Sequence, residues 1–272
     1  MPLARIRRAF LRPPALPPVA PERAPGALRA ATFNIAHGRA RWVSQLVVSR
    51  GRLEQHLDAI GTLAQRLDAD FVALQETDTD AAWTSRIDQP RHVGVAADLQ
   101  HIYRGHNSEM LRPWPLVYGN ATLSRHEARR SEAVKFGRGR VGGKGFLQTE
   151  FEVDGAVLTL LNVHLDPLSD RRRRRQLEHV RRVVDDLDHA TIVLGDFNSD
   201  LRVGRSLHAF AEHAGLCVAT PGAGTQHTFE KLGRRRRLDF ILGSRQVEFV
   251  ATHVLPERLS DHLPLLADFQ LR

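Results

Sequence analysis

The sequence predicts an α/β protein whose strand ends meet in one polar cluster. Three observations carry that reading. Short runs rich in Val, Ile, Leu and Phe recur at strand length along the chain. Segments with apolar residues at three- and four-residue steps lie among them. The short runs carry an acid, an amide or a histidine at or near their ends: Asn34, Glu76, His164, Asp196 with Asn198, Asp239, and Asp261 with His262. One such residue is unremarked in any protein. Six runs with the same feature point to strand ends gathered on one rim of a sheet structure.

Residues 1–27 read as a tail. Seven of the fourteen prolines fall there, and Arg5, Arg7, Arg8 and Arg12 interleave with Leu3, Ile6, Phe10 and Leu11. Such a segment has little to bury and cannot be continuously helical. Its first dozen residues suit contact with an anionic membrane surface, and the remaining residues, 28–272, form one catalytic-size domain. Arg29 to Ile35 is a strand, with Asn34 near its end and a turn at His37 and Gly38. His37 could assist a site, though a solvated loop histidine is the expectation. Residues 51–68 form a helix whose apolar face is Leu53, Leu57, Ile60, Leu63 and Leu67.

Asp70 to Glu76 is a second buried strand. Residues 79–118 are expected to be irregular, as a binding surface or a covering loop. Tyr118 to Arg125 is a strand. Residues 137–145, with five glycines and Arg138, Arg140 and Lys144, form a basic loop that lacks the ending of a P-loop. Two strands within 146–164 join at Asp154-Gly155, a hairpin turn. Ser169 caps a helix with core positions Leu177, Val180, Val183, Val184 and Leu187. Five arginines, Arg171 to Arg175, open that helix against its dipole, which suits a nearby anion or a solvated basic face.

Thr191 to Asp200 is the most informative stretch. Ile192, Val193 and Leu194 form a buried strand, Gly195 turns the backbone, and Asp196 and Asn198 follow two residues apart. An Asx turn explains that spacing, and so does a pair of ligands for a hard cation or for a water and a phosphate. Residues 205–214 form a helix closed by Gly215. Leu238 to Leu242 is a strand preceded by Arg234 to Arg237, and Asp261 and His262 come before a last strand, Leu265 to Leu271.

Composition sets limits. An apolar content of 42% supports a sizeable core. A single cysteine, Cys217, excludes an internal disulfide and a multi-cysteine metal cluster. Between Leu216 and Val218 it is expected to be a buried, inert thiol. No run approaches the ~18–20 apolar residues of a membrane span. The formal net charge of +8 is concentrated at the start, where residues 1–30 hold six arginines and one glutamate. The body is only modestly basic, which weakens the case for a dedicated nucleic-acid-binding protein. A cytoplasmic monomer, in peripheral contact with a membrane through its basic segments, is the expectation. The polar cluster is rich in oxygen with two histidines and no thiolate, which favours Mg²⁺ or Mn²⁺ over structural zinc. Hydrolysis of a phosphoester needs such a set.

The motifs FNIAHG (33–38), ALQET (73–77), YGNATLSR (118–125), LLNVHLD (160–166), VLGDFNSD (193–200), RLDFIL (237–242) and LSDHLP (259–264) resemble, in order, those of the endonuclease/exonuclease/phosphatase superfamily. The resemblance spans roughly residues 28–272. It implies a four-layer α/β/β/α sandwich of two packed mixed sheets flanked by helices. It implies Glu76 as principal metal ligand, assisted by Asn34 and Asp261, and Asp196 positioning or deprotonating the attacking water. Asn198 would hold the phosphate, His164 and His262 would stabilise the phosphoryl group, Asp239 would orient a histidine, and Asn120 would contact substrate. Two departures weigh against an AP-endonuclease specificity: Ala36 stands where those members carry an acid, and His164 where they carry a tyrosine. The segments at 119–125 and after 164 look more like sphingomyelinase-like members. The resemblance thus favours a Mg²⁺- or Mn²⁺-dependent phosphodiesterase on a lipid headgroup or small phosphodiester. A nuclease using the arginine clusters on DNA or RNA is the alternative, and an inactive phosphate-binding relative is the non-enzymatic one.

Overall fold

Fourteen strands and four helices follow one another in the computed structural model, which describes residues 20–40, 48–110, 114–137, 143–199, 205–222 and 224–272. In chain order they are β1 (Leu28–Asn34), α1 (Arg50–Arg66), β2 (Phe71–Ala81), α2 (Gln89–Ala97), β3 (His101–Met110), β4 (Leu116–Ser124) and β5 (Ala128–Lys135). Then come β6 (Gly145–Val153), β7 (Ala156–His164), α3 (Asp170–Asp185), β8 (Ala190–Asp196), α4 (Arg205–His213) and β9 (Cys217–Val218). The chain closes with β10 (Phe229–Lys231), β11 (Arg234–Arg236), β12 (Asp239–Gly243), β13 (Val247–Val254) and β14 (Leu265–Leu271).

Two six-stranded mixed sheets result, ordered β13-β14-β1-β2-β4-β3 and β5-β6-β7-β8-β12-β9. Period-two alternation sorts each strand between two cores. From β1, β2, β7, β8 and β12, the side chains of Ala30, Phe71, Ala73, Leu158, Leu160, Ile192, Leu194 and Ile241 fill the space between the sheets. Their alternates Ala31, Val72 and Leu74 face Leu53, Leu57, Ile60 and Val93 of α1 and α2. On the other sheet, Leu161, Val163, Val193 and Phe240 face Leu177 and Val180 of α3 and Leu207 and Phe210 of α4. Three apolar layers between four layers of backbone give the α/β/β/α sandwich.

Register places the polar residues. β1 and β2 run parallel with Asn34 opposite Gln75, and β7 and β8 run parallel with His164 opposite Asp196. β12 is antiparallel to β8 and begins opposite its end, Asp239 against Asp196. β14 is antiparallel to β1, so the residues before it, Asp261 and His262, return to the same rim. The inward-facing set of each strand is apolar in its body and polar at this rim.

At the rim β2 departs from regularity. Its pairing with β4 shifts between Leu74 and Thr77, and Glu76 adopts a left-handed φ of 52°. Alternation alone would send Glu76 outward after Val72 and Leu74, into the helix-facing core. The bulge turns it back to the rim, which is how bulges re-aim side chains. Asn162 of β7 supports this distortion from the opposite sheet. Its Nδ2 donates to Leu74 O (3.1 Å) and Ala121 O (2.9 Å), and its Oδ1 accepts from Gln75 Nε2 (2.8 Å).

Several expectations need correction. The span 79–118 is not irregular: it holds the end of β2, α2 capped by Asp88, and β3. Polar side chains on β3 obscured its alternation, because one of its faces is only half-buried. Strands β5 and β13 also went unrecognised. Cys217 is exposed, since β9 is a two-residue edge strand. Most of the tail and residues 138–142 lie outside the described residues. Residues 20–27 pack on the domain: Ala20 lies against the α1 core, and buried Arg29 donates to Pro21 O, Leu67 O and Asp268. Of the five arginines opening α3, Arg172 is paired to Asp166 and Arg173 and Arg174 to Asp170, and all but Arg173 are exposed.

Two substitutions test this account. Gly195 has φ 141°, and a Cβ there would lie 2.0 Å from Val163 O. Gly195→Ala is expected to cost at least about 2 kcal/mol, read as a lower urea midpoint. Asn162→Ala removes hydrogen bonds to two buried carbonyls and one of the acceptors of the Gln75 amide, which keeps Thr32 Oγ1 and Ala73 O, and is expected to cost about 1–3 kcal/mol by the same measurement. An unchanged midpoint in Asn162→Ala would remove it as the support of the bulge.

Candidate active site

Asp196 is the hub of the rim. It ends β8, buried, and its two oxygens have separate partners. Oδ1 accepts from Asn198 N at 2.9 Å, which is the Asx turn that the spacing allowed. Oδ2 accepts from Asn34 Nδ2 at 3.0 Å, across the gap between the sheets. The same oxygen lies 3.5 Å from His164 Nε2 and 3.8 Å from His262 Nε2. Burial raises the Asp196 carboxyl to about 6; the Asp239 charge adds to this, while His262 and the two amides oppose it.

His262 is held on its other side. Its Nδ1 donates to Asp239 Oδ2 at 2.8 Å. Burial works against a charged ring here, but the carboxylates of Asp239 and Asp196 outweigh it and lift His262 to about 10. Asp239 is fixed by its place opposite Asp196. The remaining oxygen, Asp239 Oδ1, is buried and has no hydrogen-bond partner among the described residues. Asp196, Asp239 and His262 offer ligand atoms within 4.8 Å of one another.

Glu76 forms the opposite wall. Its carboxylate lies 3.6 Å from His37 Nε2 and 3.7 Å from both Lys144 Nζ and His164 Nε2. None of these is a hydrogen bond. Burial would raise its pKa, but His37, Lys144 and His164 together hold it well below the carboxylate range. An ionised, partly exposed carboxylate without a donor in bonding reach can accept a cation. His164 behaves oppositely to His262: burial, and then the Lys144 charge, push its pKa well down. Lys144 Nζ donates to its Nε2 at 2.8 Å.

The predicted residues therefore divide. Asn34, Glu76, His164, Asp196, Asp239 and His262 converge on one cluster. Asp261 adjoins it through His262 but is engaged by Lys231 (2.8 Å) and Arg39 (3.6 Å); the His262 charge, then Lys231 and Arg39, hold its pKa down against burial. Asn198 uses its amide nitrogen on Leu165 O at 3.0 Å. Asn120 is locked inside the fold, donating to Asn162 O and accepting from Asn107 Nδ2.

Sequence reasoning missed three participants. His37 is buried rather than solvated. Its Nδ1 donates to Asp78 Oδ1 at 2.7 Å, and its ring packs edge-on against Trp83 and Tyr118. Its pKa is raised, because Asp78 and Glu76 overcome the penalty of burial. Asp78 follows Glu76 by two residues on β2, and Trp83 Nε1 and Thr84 Oγ1 also donate to it. Lys144 stood in a stretch read as a flexible loop. The spacing of Glu76 and Asp78 was the one available signal.

The chain belongs to the endonuclease/exonuclease/phosphatase family, whose model matches residues 31–262. Solved structures agree on the fold. An endonuclease/exonuclease/phosphatase from Bacteroides vulgatus is 18% identical, with 90% of this chain and 99% of that one covered and a TM-score of 0.71. A second, from Beutenbergia cavernae, is 24% identical over 92% of this chain and 72% of that one, at a TM-score of 0.68. The mannosyl-6-phosphatase Bt3783 of Bacteroides thetaiotaomicron is 16% identical over 90% of this chain and all of that one (100%), at a TM-score of 0.69. A search of curated proteins finds no sequence match. No helix among the described residues is long and apolar enough to cross a membrane.

The Asp239–His262 pair predicts a pH dependence of stability. A folded pKa of about 10 against an ordinary 6.5 means that the stabilisation is complete below 6.5 and fades as pH rises towards 10. Urea unfolding in EDTA should show wild type well above His262→Gln at about pH 6, with the gap narrowing by about pH 10. A gap independent of pH would show that the imidazole is not charged in the fold.

Proposed function

We propose that this protein is a divalent-metal-dependent phosphodiesterase acting on a lipid headgroup or other small phosphodiester. The observation that carries the reading is the buried chain Asp239–His262–Asp196 facing the ionised Glu76 across the rim. It sets a carboxylate of raised pKa beside a cationic donor, with an ionised carboxylate opposite. Family membership and the oxygen-rich donor set support the class.

The donors fit a hard cation such as Mg²⁺ or Mn²⁺. Glu76 would hold it, with Asn34 and Asp261 alongside; Asp239 Oδ1, buried without a partner, makes the Asp196–Asp239–His262 cluster the competing position. When bound, the ion would neutralise phosphoryl oxygen charge and acidify a water. The chain's own groups account for the rest. Asp196, with Oδ2 aimed by Asn34, accepts a proton from the attacking water. His262, kept protonated by Asp239, donates to a phosphoryl oxygen. Lys144 supplies a donor on the Glu76 side, held in place by the neutral His164 ring that accepts from it, and Asn198 stabilises the turn that presents Asp196. A carboxylate with a pKa near the operating pH suits a general base.

Asp196→Ala and His262→Ala are each expected to lower metal-dependent turnover by about 10²–10⁴-fold while keeping the fold. The assay sets bis-p-nitrophenyl phosphate, sphingomyelin and plasmid DNA side by side with Mg²⁺, Mn²⁺ or EDTA. Cleavage that survives EDTA or both substitutions would defeat the proposal, and cleavage of DNA alone would favour the nuclease. Calorimetric titration with Mn²⁺ then locates the ion: Glu76→Gln should weaken binding, and a loss confined to Asp239→Asn would move it to the other cluster.

A further inference from the structure

Among the described residues five large apolar side chains stand exposed; Val95 and Val250 lie on α2 and β13, and the other three flank the strand ends that carry the candidate site. Leu232 is 92% exposed, Leu168 89% and Trp114 69%. Leu168 lies just beyond His164 at the end of β7. Trp114 lies two residues before β4, whose first residue pairs with Ala81, beyond Glu76 on β2. Leu232 forms the tip of the β10–β11 hairpin, and that hairpin is built onto the site. Phe229 bridges to His262 in backbone pairing and packs on its ring at 5.0 Å. Glu230 N donates to Asp261 O, and Lys231 Nζ to Asp261 Oδ2.

The tip is an unlikely place for leucine on local grounds. Lys231 pairs with Arg234 across a two-residue turn, with Leu232 at φ 49° and Gly233 at φ 77°. Two positive φ values define a type I′ turn, which favours Asn-Gly. A leucine there carries backbone strain and leaves its side chain in water. Nothing in the described fold covers it. Its neighbours Lys231, Arg234 and Arg235 are exposed. Leu168 repeats the arrangement: Asp166 Oδ1 fixes the turn by accepting from Leu168 N and Ser169 N, and exposed Arg171, Arg172, Arg174 and Arg175 follow.

We infer that this rim docks on an anionic lipid surface, with Leu232 and Leu168 entering the interface and the flanking lysine and arginines meeting headgroups. Apolar tips ringed by cations complement such a surface, where burial and charge attraction act together. A nucleic-acid backbone would be served by the cations alone and gives no reason for a leucine at a strained tip. The inference rests on the phosphodiesterase reading for its purpose: it would bring headgroup phosphates to the face that carries Glu76 and Asp196.

The test is sedimentation of the full chain with vesicles in EDTA, so that no turnover is involved. One set holds two parts phosphatidylcholine to one part phosphatidylglycerol, the other phosphatidylcholine alone. Wild type should bind the anionic set, less so as salt rises, and bind the neutral set weakly. Leu232→Asn places the preferred residue in the turn, and an unchanged urea midpoint verifies its fold. It should lower anionic vesicle binding about tenfold or more, and adding Leu168→Asn should lower it further. Wild type that stays in solution with both sets, or Leu232→Asn that binds as tightly as wild type, overturns the inference. So does tight binding of a DNA duplex that shares the sensitivity to Leu232. Vesicle binding without phosphoester cleavage would instead defeat the phosphodiesterase reading alone.

Discussion

A single buried amide ties the two sheets together where the chemistry sits. Asn162 belongs to one sheet, yet all three hydrogen bonds of its side chain go to the other, to Leu74, Ala121 and Gln75. Those groups border the β2 bulge, where the ladder to β4 fails. A bulge between two packed sheets leaves backbone polar groups away from water, and each would cost free energy unpaired. Asn162 satisfies them from across the core. The irregular strand is thereby tolerated, and the bulge in turn aims Glu76 at the rim.

The rest of the site follows the same logic. Thr32, Asn34, Gln75, Asn162, His164, Asp196 and Asp239 continue the inward face of strands whose bodies are apolar. None can reach water freely, so each must find a partner from another strand. Asn34 meets Asp196 across the sheets, Asp239 meets His262, and His164 meets Lys144. The outcome is a graded electrostatic field. Cations and imidazoles surround Glu76 and keep it ionised, while two carboxylates share His262, and burial raises Asp196. Burial disfavours charge on both histidines of the site; at His262 the carboxylates of Asp239 and Asp196 overcome it, while at His164 the Lys144 ammonium adds to it.

The hairpin that carries Leu232 extends this coupling to the surface. Phe229 packs on His262 and Lys231 donates to Asp261, so the hairpin that ends in the exposed tip also contacts residues at the rim. Substrate delivery and the positioning of the imidazole would then share one structural element.

The resemblance of its ordered motifs pointed to the sandwich class, and the sequence by itself determined most of the central strands and six polar residues that converge at their ends. Their apolar bodies impose period-two burial, and the polar residue at each end can be tolerated only where strands terminate together. It also fixed α1, α3 and the Asp154-Gly155 turn, whose signals are local. Tertiary structure alone decided the rest. β3 and β5 lack clean alternation because their faces are partly exposed, so only pairing with β4 and β6 defines them. His37 read as a loop residue, and its burial depends on Asp78, Trp83 and Tyr118 arriving from distant segments. Asn120 carried a site motif, yet the fold spends both ends of its amide on structural bonds. Lys144 became part of the site only when β6 was laid beside β7, setting Gly145 opposite His164. These choices concern which groups meet across the chain, and no local propensity encodes them.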